Sequence, residues 1–426
     1  MRILIVWRSA VPKIRQTIID YVFSFSRYDK DDHFFYLDVG RTIQLKDYKW
    51  IEPQMFDAVI FHYTILGMRT IELYWNSFAE VMADLWRDSS CVKILLPQDD
   101  YTCTEAIWNF ANAIQANIIF TVMRECDYPI LYPEDRIPNI LVETVLTGYV
   151  EEQSHSDLRL LPHEKRKYDC VYRARALPYV CGKHGQLKYE IATLFNDRLA
   201  GDWLVTDIKN TKGRESDKKD TAILGRKWID FLASSRCTIG CLSGSSIADF
   251  KGELSAKEKA FIKKNPMASY DECKEQCFQG VEENLTGAVS PRIFEAALTK
   301  TTQILVGADY QGILIPDVDY IMLKKDYSNL DEVVDKMKDI QYCEAIAEKC
   351  YEHVITSGKY YYSVFVEQVV KEITAIRTVK YPEDKHLSEK IRTICNKNNK
   401  KVRAEIYCRY LIGKVWQRIY PPIRLI

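Results

Sequence analysis

The sequence predicts an α/β protein in which two Rossmann-like domains face each other across a cleft. Short apolar runs alternate with amphipathic segments of helical length, which is typical of parallel sheets covered by helices on both faces. The alternation stops in a polar stretch after residue 150 and starts again near residue 168. A chain of 426 residues also exceeds what one hydrophobic core usually holds, so two domains are expected.

The first domain is predicted over residues 1–160. Apolar runs predict strands at residues 2–7, 33–39, 56–63, 92–96 and 117–122. Between these runs, apolar residues recur at the three- and four-residue spacing of helices. Parallel sheets of this kind bind ligands beyond the carboxyl ends of their strands. His62 and the pair Asp99 and Asp100 lie at two such ends, which makes them candidate functional residues.

The second domain is predicted over residues 161–345. Its strands are expected at residues 168–172, 203–205, 237–242 and 303–307. The charged span at about 247–285 shows no strand pattern, and we expect it to form an inserted lid of helices and loops. Apolar residues at helical spacing predict further helices over residues 346–378.

A basic turn follows the first strand of the second domain. Its cations lie within sixteen positions, around two glycines, and they are Arg173, Arg175, Lys183, His184 and Lys188. A strand end, a basic loop and a helix start together favour binding of a diphosphate. A solvated basic turn without a ligand is the alternative.

Another helix is predicted to begin at Ser290 and Pro291. Serine is a good N-cap residue, and proline fits the first helical position because its missing N–H costs nothing there. The positive end of the helix dipole and Arg292 in the first turn favour an anion such as phosphate. Glu295 lies one turn further in, among apolar residues. A carboxylate that is merely stabilised by the helix dipole is the alternative.

Residues 290–298, the apolar run 303–307 and the continuation through residue 330 resemble GT-B glycosyltransferases of the "glycosyl transferases group 1" type. The resemblance is best over residues 168–370 and loose in the first domain. It implies that a nucleotide-sugar donor binds the second domain and that the helices of residues 346–378 cross back onto the first. The common pattern has two glutamates eight positions apart; the earlier position here is Gly287, so only Glu295 carries over.

The resemblance also implies roles for individual residues. Glu295 would accept hydrogen bonds from the ribose hydroxyls, and Ser245 would contact the sugar or its phosphate, although a tight turn is equally compatible with this serine. The cations that would bind the donor diphosphate are Arg173 or Arg175, Lys188 and Arg292. Because these cations neutralise the leaving group, we expect no metal ion and no cofactor besides the nucleotide sugar as co-substrate.

The predicted function is transfer of a sugar from a nucleotide-diphosphate sugar to a carbohydrate or lipid-linked acceptor. Asp100 and His62 are the candidates for acceptor activation, which an inverting transfer requires and a retaining transfer can leave to the departing phosphate. We rank Asp100 ahead of Asp99. A buried histidine without a catalytic role and aspartates that only form a turn are the alternatives. A nucleotide-sugar epimerase or hydrolase, and a non-catalytic nucleotide-sugar-binding protein, are the alternative functions.

Composition and charge favour a cytoplasmic protein without a nucleic-acid partner. Lys plus Arg and Asp plus Glu both number 59, so no overall field attracts a polyanion. The amino-terminal apolar run is too short for a signal peptide, and no apolar stretch approaches the ~18 residues of a membrane span. The thirteen cysteines are scattered, which is typical of reduced thiols, and their spacing lacks the second pair of ligands that a zinc site needs.

The last segment, residues 379–426, is predicted to form a basic amphipathic tail. From Lys380 onward, twelve basic residues are balanced by only four acidic ones, and tyrosines and a tryptophan are interleaved with them. Such a segment suits the anionic surface of a membrane, which would make the protein a peripheral one at the cytoplasmic face. A carboxy-terminal helix that packs on the body with a solvated basic face is the alternative.

Overall fold

A computed structural model describes residues 1–9, 14–40, 45–152, 158–211, 223 and 225–419. It contains two parallel sheets, each covered by helices, and the two lie against each other across a cleft. The predicted fold class is therefore confirmed.

The first sheet has six parallel strands in the order β2-β1-β3-β4-β5-β6. Their bounds are β1 Arg2–Trp7, β2 His33–Asp38, β3 Ala58–His62, β4 Val92–Leu96, β5 Ile118–Thr121 and β6 Leu141–Thr144. The central strands read as uninterrupted apolar runs because both of their faces are buried under helices. The helices are α1 Gln16–Tyr28, α2 Leu45–Tyr48, α3 Tyr63–Leu66, α4 Glu72–Trp86, α5 Thr104–Ile114 and α6 Tyr128–Leu131.

The second sheet has five parallel strands in the order β11-β10-β9-β7-β8. Their bounds are β7 Tyr168–Arg175, β8 Thr206–Thr211, β9 Ser235–Gly240, β10 Thr302–Val306 and β11 Ile321–Leu323. The helices are α7 Gly182–Arg198, α8 Arg226–Ala233, α9 Glu253–Lys264, α10 Tyr270–Cys277, α11 Arg292–Leu298, α12 Leu330–Lys338 and α13 Ile340–Tyr351. The strand expected at residues 203–205 begins later, at Thr206, because β8 is a polar edge strand without an apolar pattern.

The segment predicted as a lid consists of α9, α10 and their connections. It packs on the turn that precedes α7: the Glu258 carboxylate accepts hydrogen bonds from the backbone N–H groups of Tyr179 and Val180, at 2.7 and 2.9 Å. A small apolar core of Val180, Ile247, Cys273 and Phe278 joins the segment to the rest of the domain. These contacts hold the segment against the second sheet.

The chain returns to the first domain through α14, Tyr362–Ile376. Phe365 of this helix lies 4.8 Å from the ring of Tyr21 and stacks on Tyr149, with 5.0 Å between ring centroids. Val366, Val369 and Ile373 belong to the same buried cluster as β1 and β3. The last helix of the second half therefore completes the core of the first.

A long helix, α15 (Lys385–Ile419), ends the described chain. Its first half covers the edge strand β2, where the Asn399 side chain accepts a hydrogen bond from the backbone N–H of Asp38 at 2.8 Å and donates to the Tyr36 carbonyl at 2.7 Å. Capping the unpaired groups of an edge strand in this way prevents it from pairing with another chain. Within the described residues, no helix combines the length and apolarity that crossing a bilayer requires.

Candidate active site

A cavity of about 910 Å³ lies between the two domains. The second domain contributes the end of β7, helix α8 and the start of α11, and the first contributes the start of α1. The side chains that matter most for its chemistry are Arg15, Arg175, Trp228, Arg292 and Glu295. Arg15 and Arg175 are exposed to this space, and the guanidinium group of neither forms a hydrogen bond or ion pair with any residue that the structure describes. The cavity therefore contains cations from both domains.

Helix α11 supplies two of these side chains. It begins at Arg292, whose backbone N–H donates to the Ser290 hydroxyl at 3.4 Å. Spacing of three residues places Arg292 and Glu295 on one face of the helix, while Ile293 and Phe294 are buried on the other. One face of the helix thus packs in the core of the domain, and the other places a cation and a carboxylate in the cavity.

Trp228 on α8 orders this pair. Its indole N–H donates to Oε2 of Glu295 at 2.7 Å, and the Arg292 guanidinium lies 5.1 Å from the centre of its ring. Burial raises the pKa of Glu295, and the contacts with Trp228 and Arg292 oppose that rise. In the described part of the chain, Oε1 of Glu295 has no hydrogen-bond partner, so it can accept from a ligand hydroxyl.

Arg173 and Arg175, the two alternatives for a phosphate-binding arginine, differ in their surroundings. The Arg173 guanidinium is nearly buried, donates to the Asp207 carboxylate at 2.6 Å and lies 4.4 Å from the ring of Phe231. It serves to join β7 to β8, and its own carbonyl accepts from Nη1 of Arg292 at 2.6 Å. Both arginines line the cavity, but only the Arg175 guanidinium has no partner among the described residues, so Arg175 is the better placed of the two alternatives.

Lys188 on α7 approaches the same region from a second side. Its Nζ donates to the Ser243 hydroxyl at 2.8 Å, and a small cavity of about 30 Å³ is lined by both Lys188 and Arg292. Burial lowers the pKa of Lys188, and the proximity of Arg292 lowers it further. Arg292 borders both cavities, so Lys188 and Glu295 lie on two adjoining cavities that Arg292 separates.

Ser245 is not placed to contact a sugar, which corrects its prediction. It is fully buried, and its hydroxyl donates to the Ile247 carbonyl at 2.7 Å, closing a turn. That turn packs against the start of α7, where a Cβ on Gly182 would lie only 2.1 Å from the Ser246 hydroxyl. Ser243, two positions earlier, is the serine that reaches the cleft through Lys188.

The predicted role of His62 in acceptor activation is also corrected, because the first domain buries this residue completely. It lies between the rings of Tyr21 and Tyr63, with centroids at 5.4 and 4.1 Å, and Nδ1 is 3.0 Å from the Thr64 hydroxyl. Burial lowers the pKa of His62 to about 3. A neutral histidine inside the core cannot take a proton from a bound acceptor.

Asp100 is likewise buried, and Asp99 takes its place at the cleft. The Asp100 carboxylate accepts hydrogen bonds from the hydroxyls of Tyr132, at 2.6 Å, and Thr121, and burial raises its pKa. Asp99 is exposed, adopts a left-handed backbone with φ of 53°, and accepts from the Tyr101 hydroxyl at 2.7 Å. Tyr101, which holds it, packs against the second domain: a Cβ on Gly244 would lie 3.4 Å from the Tyr101 ring. The ranking of the two aspartates is therefore reversed.

Arg69 is a residue that the sequence did not single out. Its buried guanidinium donates to the carbonyls of Thr102 at 2.7 Å, Leu66 at 3.1 Å and Gln98 at 3.1 Å, and also to that of Asp99. These bonds hold the unusual backbone of Asp99 in place. A single arginine in a short 3-10 helix, Gly67–Thr70, carries no sequence signal for such a role.

Gly287, which stands where the resembling family has its first glutamate, has a structural reason to be glycine. Its φ is +79°, and an added Cβ would lie 2.8 Å from both Nδ1 of His184 and the Ser243 carbonyl. Nδ1 of His184 is buried and has no hydrogen-bond partner among the residues described. The space that a side chain at position 287 would need is filled by the imidazole.

No protein-family model and no curated protein sequence matches the chain. Solved structures do match. An alpha-glucosyltransferase in complex with UDP and a 13-mer DNA containing a HMU base aligns with a TM-score of 0.56 at 10% identity, over 88% of this chain and 99% of that chain. An alpha-glucosyltransferase in complex with UDP-glucose and DNA containing an abasic site gives 0.53 at 9% identity, over the same shares of 88% and 99%. The chain has the GT-B glycosyltransferase fold.

A further GT-B structure, that of T4 phage BGT with its UDP-glucose substrate, aligns with a TM-score of 0.47 at 11% identity, over 88% of this chain and 99% of that chain. At such identities the matches show the fold alone. The GT-B fold accounts for the cleft position of Lys188, Arg292 and Glu295, since ligands of open parallel sheets bind beyond the carboxyl ends of the strands.

The expectation that nucleic acid is excluded as a partner is wrong. It was based on equal numbers of acidic and basic residues over the whole chain. GT-B structures that align over 88% of this chain nevertheless contain DNA. Overall charge balance does not exclude a polyanion, because a local group of cations is sufficient to bind one.

The described residues of this GT-B protein include no cluster of three or more His, Cys, Asp or Glu side chains arranged to bind a metal ion. All thirteen cysteines are free thiols in the structure. The cations of the cleft are therefore the groups we can assign to an anionic ligand.

Proposed function

We propose that the protein is a nucleotide-sugar-dependent glycosyltransferase that moves a sugar from a nucleotide-diphosphate sugar to a carbohydrate or lipid-linked acceptor. The observation that carries the proposal is the cavity between the domains, where Arg15, Arg175, Arg292 and Glu295 meet. The cations match the diphosphate of a nucleoside diphosphate. The carboxylate, which has one oxygen without a hydrogen-bond partner within the described ranges, matches the ribose hydroxyls. Fold similarity alone does not assign this chemistry.

The diphosphate would lie between Arg292, Arg175 and Lys188. Guanidinium groups bind phosphate oxygens through paired N–H donors, and Lys188 adds a point charge from the opposite side. A bound anion would also relieve the repulsion between Lys188 and Arg292 that lowers the pKa of the lysine. The same cations would neutralise the leaving group, so the proposal includes no metal ion.

The ribose would lie against Glu295. Trp228 holds one carboxylate oxygen at 2.7 Å and so fixes the direction of the other, which can accept from the ribose hydroxyls. A carboxylate bound on one side by a fixed donor has lost most of its rotational freedom before the ligand arrives. The geometry is therefore suited to selecting a sugar hydroxyl.

On the acceptor side we assign the role of general base, should the transfer be inverting, to Asp99. It is exposed after the end of β4, is bonded by Tyr101, which packs against Gly244 of the second domain, and is held in place by Arg69. A base must come within hydrogen-bond reach of the acceptor hydroxyl, and a buried Asp100 or His62 has no route to one. A retaining transfer would leave this task to the donor phosphate.

A nucleic-acid acceptor is the second candidate, and the DNA-bound GT-B structures are the observation that favours it. Donor binding is common to both candidates, whereas the acceptor differs. To distinguish the two candidates, the protein is incubated with a donor that carries a labelled sugar, together with either duplex DNA or a membrane extract. The acceptor that becomes labelled identifies the function. Because every cysteine is a free thiol, we also propose a cytoplasmic location.

The direct test is isothermal titration of the protein with UDP, GDP, ADP and CMP. It tests nucleotide binding and shows which nucleobase the site prefers. Glu295→Ala and Lys188→Ala should each abolish transfer while the thermal unfolding profile is retained. Glu253→Ala is the matched control, because that glutamate is exposed in the first turn of α9, outside the cleft. Full activity of both cleft variants would refute the assignment.

A separate incubation distinguishes the alternative functions. An epimerase or hydrolase would convert the nucleotide sugar without any acceptor, and a binding protein would bind it unchanged in the presence of every acceptor. Incubation of the protein with the nucleotide sugar alone, followed by product analysis, shows which of these holds.

A further inference from the structure

Two apolar side chains at the start of α4 are exposed. Leu73 is 84% exposed and Ile71 is 53% exposed. The helical spacing in this region predicts that Leu73 belongs to the buried face of the helix, but the structure turns it outward. It follows the loop after β3, which lies at the carboxyl end of the first sheet, the edge that borders the cleft.

Helix α15 also exposes apolar side chains in its later turns. Its residues up to Val402 are buried against β2 at regular intervals, but residues 407–411 are all exposed. Among them Tyr407 is 55% exposed and Leu411 is 44% exposed. The helix thus leaves the body of the protein with apolar side chains in solvent.

The helices that carry the two exposed regions both approach Gly40, at one corner of the first domain. Tyr74 of α4 donates a hydrogen bond to the Gly40 carbonyl at 2.6 Å, and a Cβ on Gly40 would lie 3.6 Å from the Val402 side chain of α15. Gly40 directly follows β2, so this corner is also at the carboxyl edge of the sheet. We name Ile71, Leu73, Tyr407 and Leu411 the corner patch.

Basic side chains flank the corner patch on its α15 side, whereas the exposed Glu72 lies between Ile71 and Leu73. Residues 385–411 contain eight Lys and Arg residues but only two acidic ones. Lys400, Lys401, Arg403 and Arg409 are exposed on α15 in the half that reaches the patch. An exposed apolar surface rimmed by cations matches an anionic bilayer, whose interior accepts the apolar groups and whose headgroups attract the cations. A DNA duplex would attract the same cations but would offer no apolar environment for Leu73.

We propose that the corner patch docks on an anionic phospholipid membrane and orients the cleft toward its surface. Such an orientation would bring a lipid-linked acceptor to the mouth of the first domain; that part rests on the proposed function, whereas membrane binding does not. The two observations come from elements more than 300 positions apart in the sequence, Leu73 and Tyr407, so the patch exists only in the folded protein.

Co-flotation of the full chain with vesicles tests the proposal. Vesicles of phosphatidylcholine alone are compared with vesicles that also contain phosphatidylglycerol, and duplex DNA is offered separately. The variants are Leu73→Glu, Leu411→Glu and the pair Lys400→Gln with Lys401→Gln. Met267→Glu is the matched control, because Met267 is 93% exposed in the turn between α9 and α10 and the change in charge is the same.

We expect the unaltered protein to bind the anionic vesicles. Each glutamate variant should weaken that binding by about tenfold, since a charge replaces an inserted apolar group. The double lysine variant should weaken it by about 25-fold, from ~1 kcal/mol (about fivefold) for each cation near an anionic surface, and raised salt should also weaken it. Met267→Glu should bind like the unaltered protein.

Equal flotation of the unaltered protein and Leu73→Glu would overturn the proposal. A loss of vesicle binding in Met267→Glu as large as in Leu73→Glu would also overturn it. Binding to duplex DNA without flotation, or self-association without flotation, would also overturn it and identify the patch as a nucleic-acid or protein surface. Nucleotide titration of the same variants keeps the two hypotheses separate: a protein that binds vesicles but no nucleotide retains this inference and loses the proposed function.

Discussion

Replacement of Glu295 by glutamine tests the proposed donor site with the smallest change in shape. Glutamine keeps an oxygen that can accept the 2.7 Å hydrogen bond from the Trp228 indole. It replaces the other carboxylate oxygen by an NH₂ group, which can only donate. The variant therefore removes the acceptor that a ribose hydroxyl would use and leaves the neighbouring structure intact.

The expected loss follows from the value of a hydrogen bond to a charged group, about 1.5–3 kcal/mol. This corresponds to roughly tenfold to a hundredfold weaker binding of the nucleoside diphosphate. Isothermal titration of the parent and Glu295→Gln with the preferred diphosphate measures it. Glu253→Gln, at an exposed position of α9, is the control and should bind like the parent.

Stability should change in the opposite direction. Burial raises the pKa of Glu295, so the folded protein binds this proton more readily than the unfolded chain. The free energy of unfolding then falls as pH rises from the ordinary glutamate pKa through the raised one, and neutral glutamine removes that cost. At neutral pH, Glu295→Gln should have a Tm equal to or above that of the parent.

The nucleotide affinity of the parent should also decline on acidification at a higher pH than for an ordinary glutamate, because Glu295 accepts ligand hydroxyls best when ionised. Glu295→Gln should lack this step. An unchanged Kd in Glu295→Gln, or a Tm that drops together with the affinity, would contradict the assignment of Glu295 as a ligand-binding group.

Other changes address the rest of the cleft. Lys188→Met should weaken the binding of a nucleoside diphosphate at least tenfold and that of the corresponding nucleoside less than twofold, because only the diphosphate carries phosphates. Titration with both ligands measures the two affinities, and equal losses would be contrary to the proposal. Asp99→Asn should lower kcat of an inverting transfer by about a hundredfold or more with the donor Kd unchanged, while Asp100→Asn should chiefly lower Tm; the reverse outcome would restore Asp100 as the base. Arg69→Met should resemble Asp99→Asn in kinetics and also lower Tm, since it releases four carbonyl groups; full activity would show that the Asp99 turn needs no support. Gly287→Ala should destabilise the protein by about 1–3 kcal/mol in denaturant unfolding, because its φ of +79° and the 2.8 Å contacts leave no room for Cβ; a neutral effect would mean that the loop can move.

Strands β6 and β8 show where sequence patterns cease to predict secondary structure. The buried central strands of both sheets appear in the sequence as uninterrupted apolar runs, and they lie where the runs predict them. Strand β6 has no buried residue and was not predicted, and β8, with the sequence TDIKNT, lies after the strand expected at residues 203–205. Both are at the edge of a sheet, where one side pairs and the rest remains in solvent. Only hydrogen bonding to a neighbour far along the chain defines such strands.

The sequence by itself determined the α/β class, the two sheets and the helix that carries Arg292 and Glu295. These features depend on local periodicity: buried strands must be apolar, and a three-residue spacing puts two side chains on one helix face. A residue's nearest neighbours in the chain are enough to establish them.

The tertiary structure alone decided which member of each candidate pair reaches the cleft. Asp99 and not Asp100 is accessible, because the distant Tyr132 hydroxyl binds the buried Asp100 carboxylate while a left-handed turn, held by Arg69, leaves Asp99 exposed. Arg175 and not Arg173 is available because Asp207, 34 positions away, takes up the Arg173 guanidinium. In each case the deciding contact comes from a distant part of the chain, and neighbouring residues of the same chemical type cannot be told apart without it.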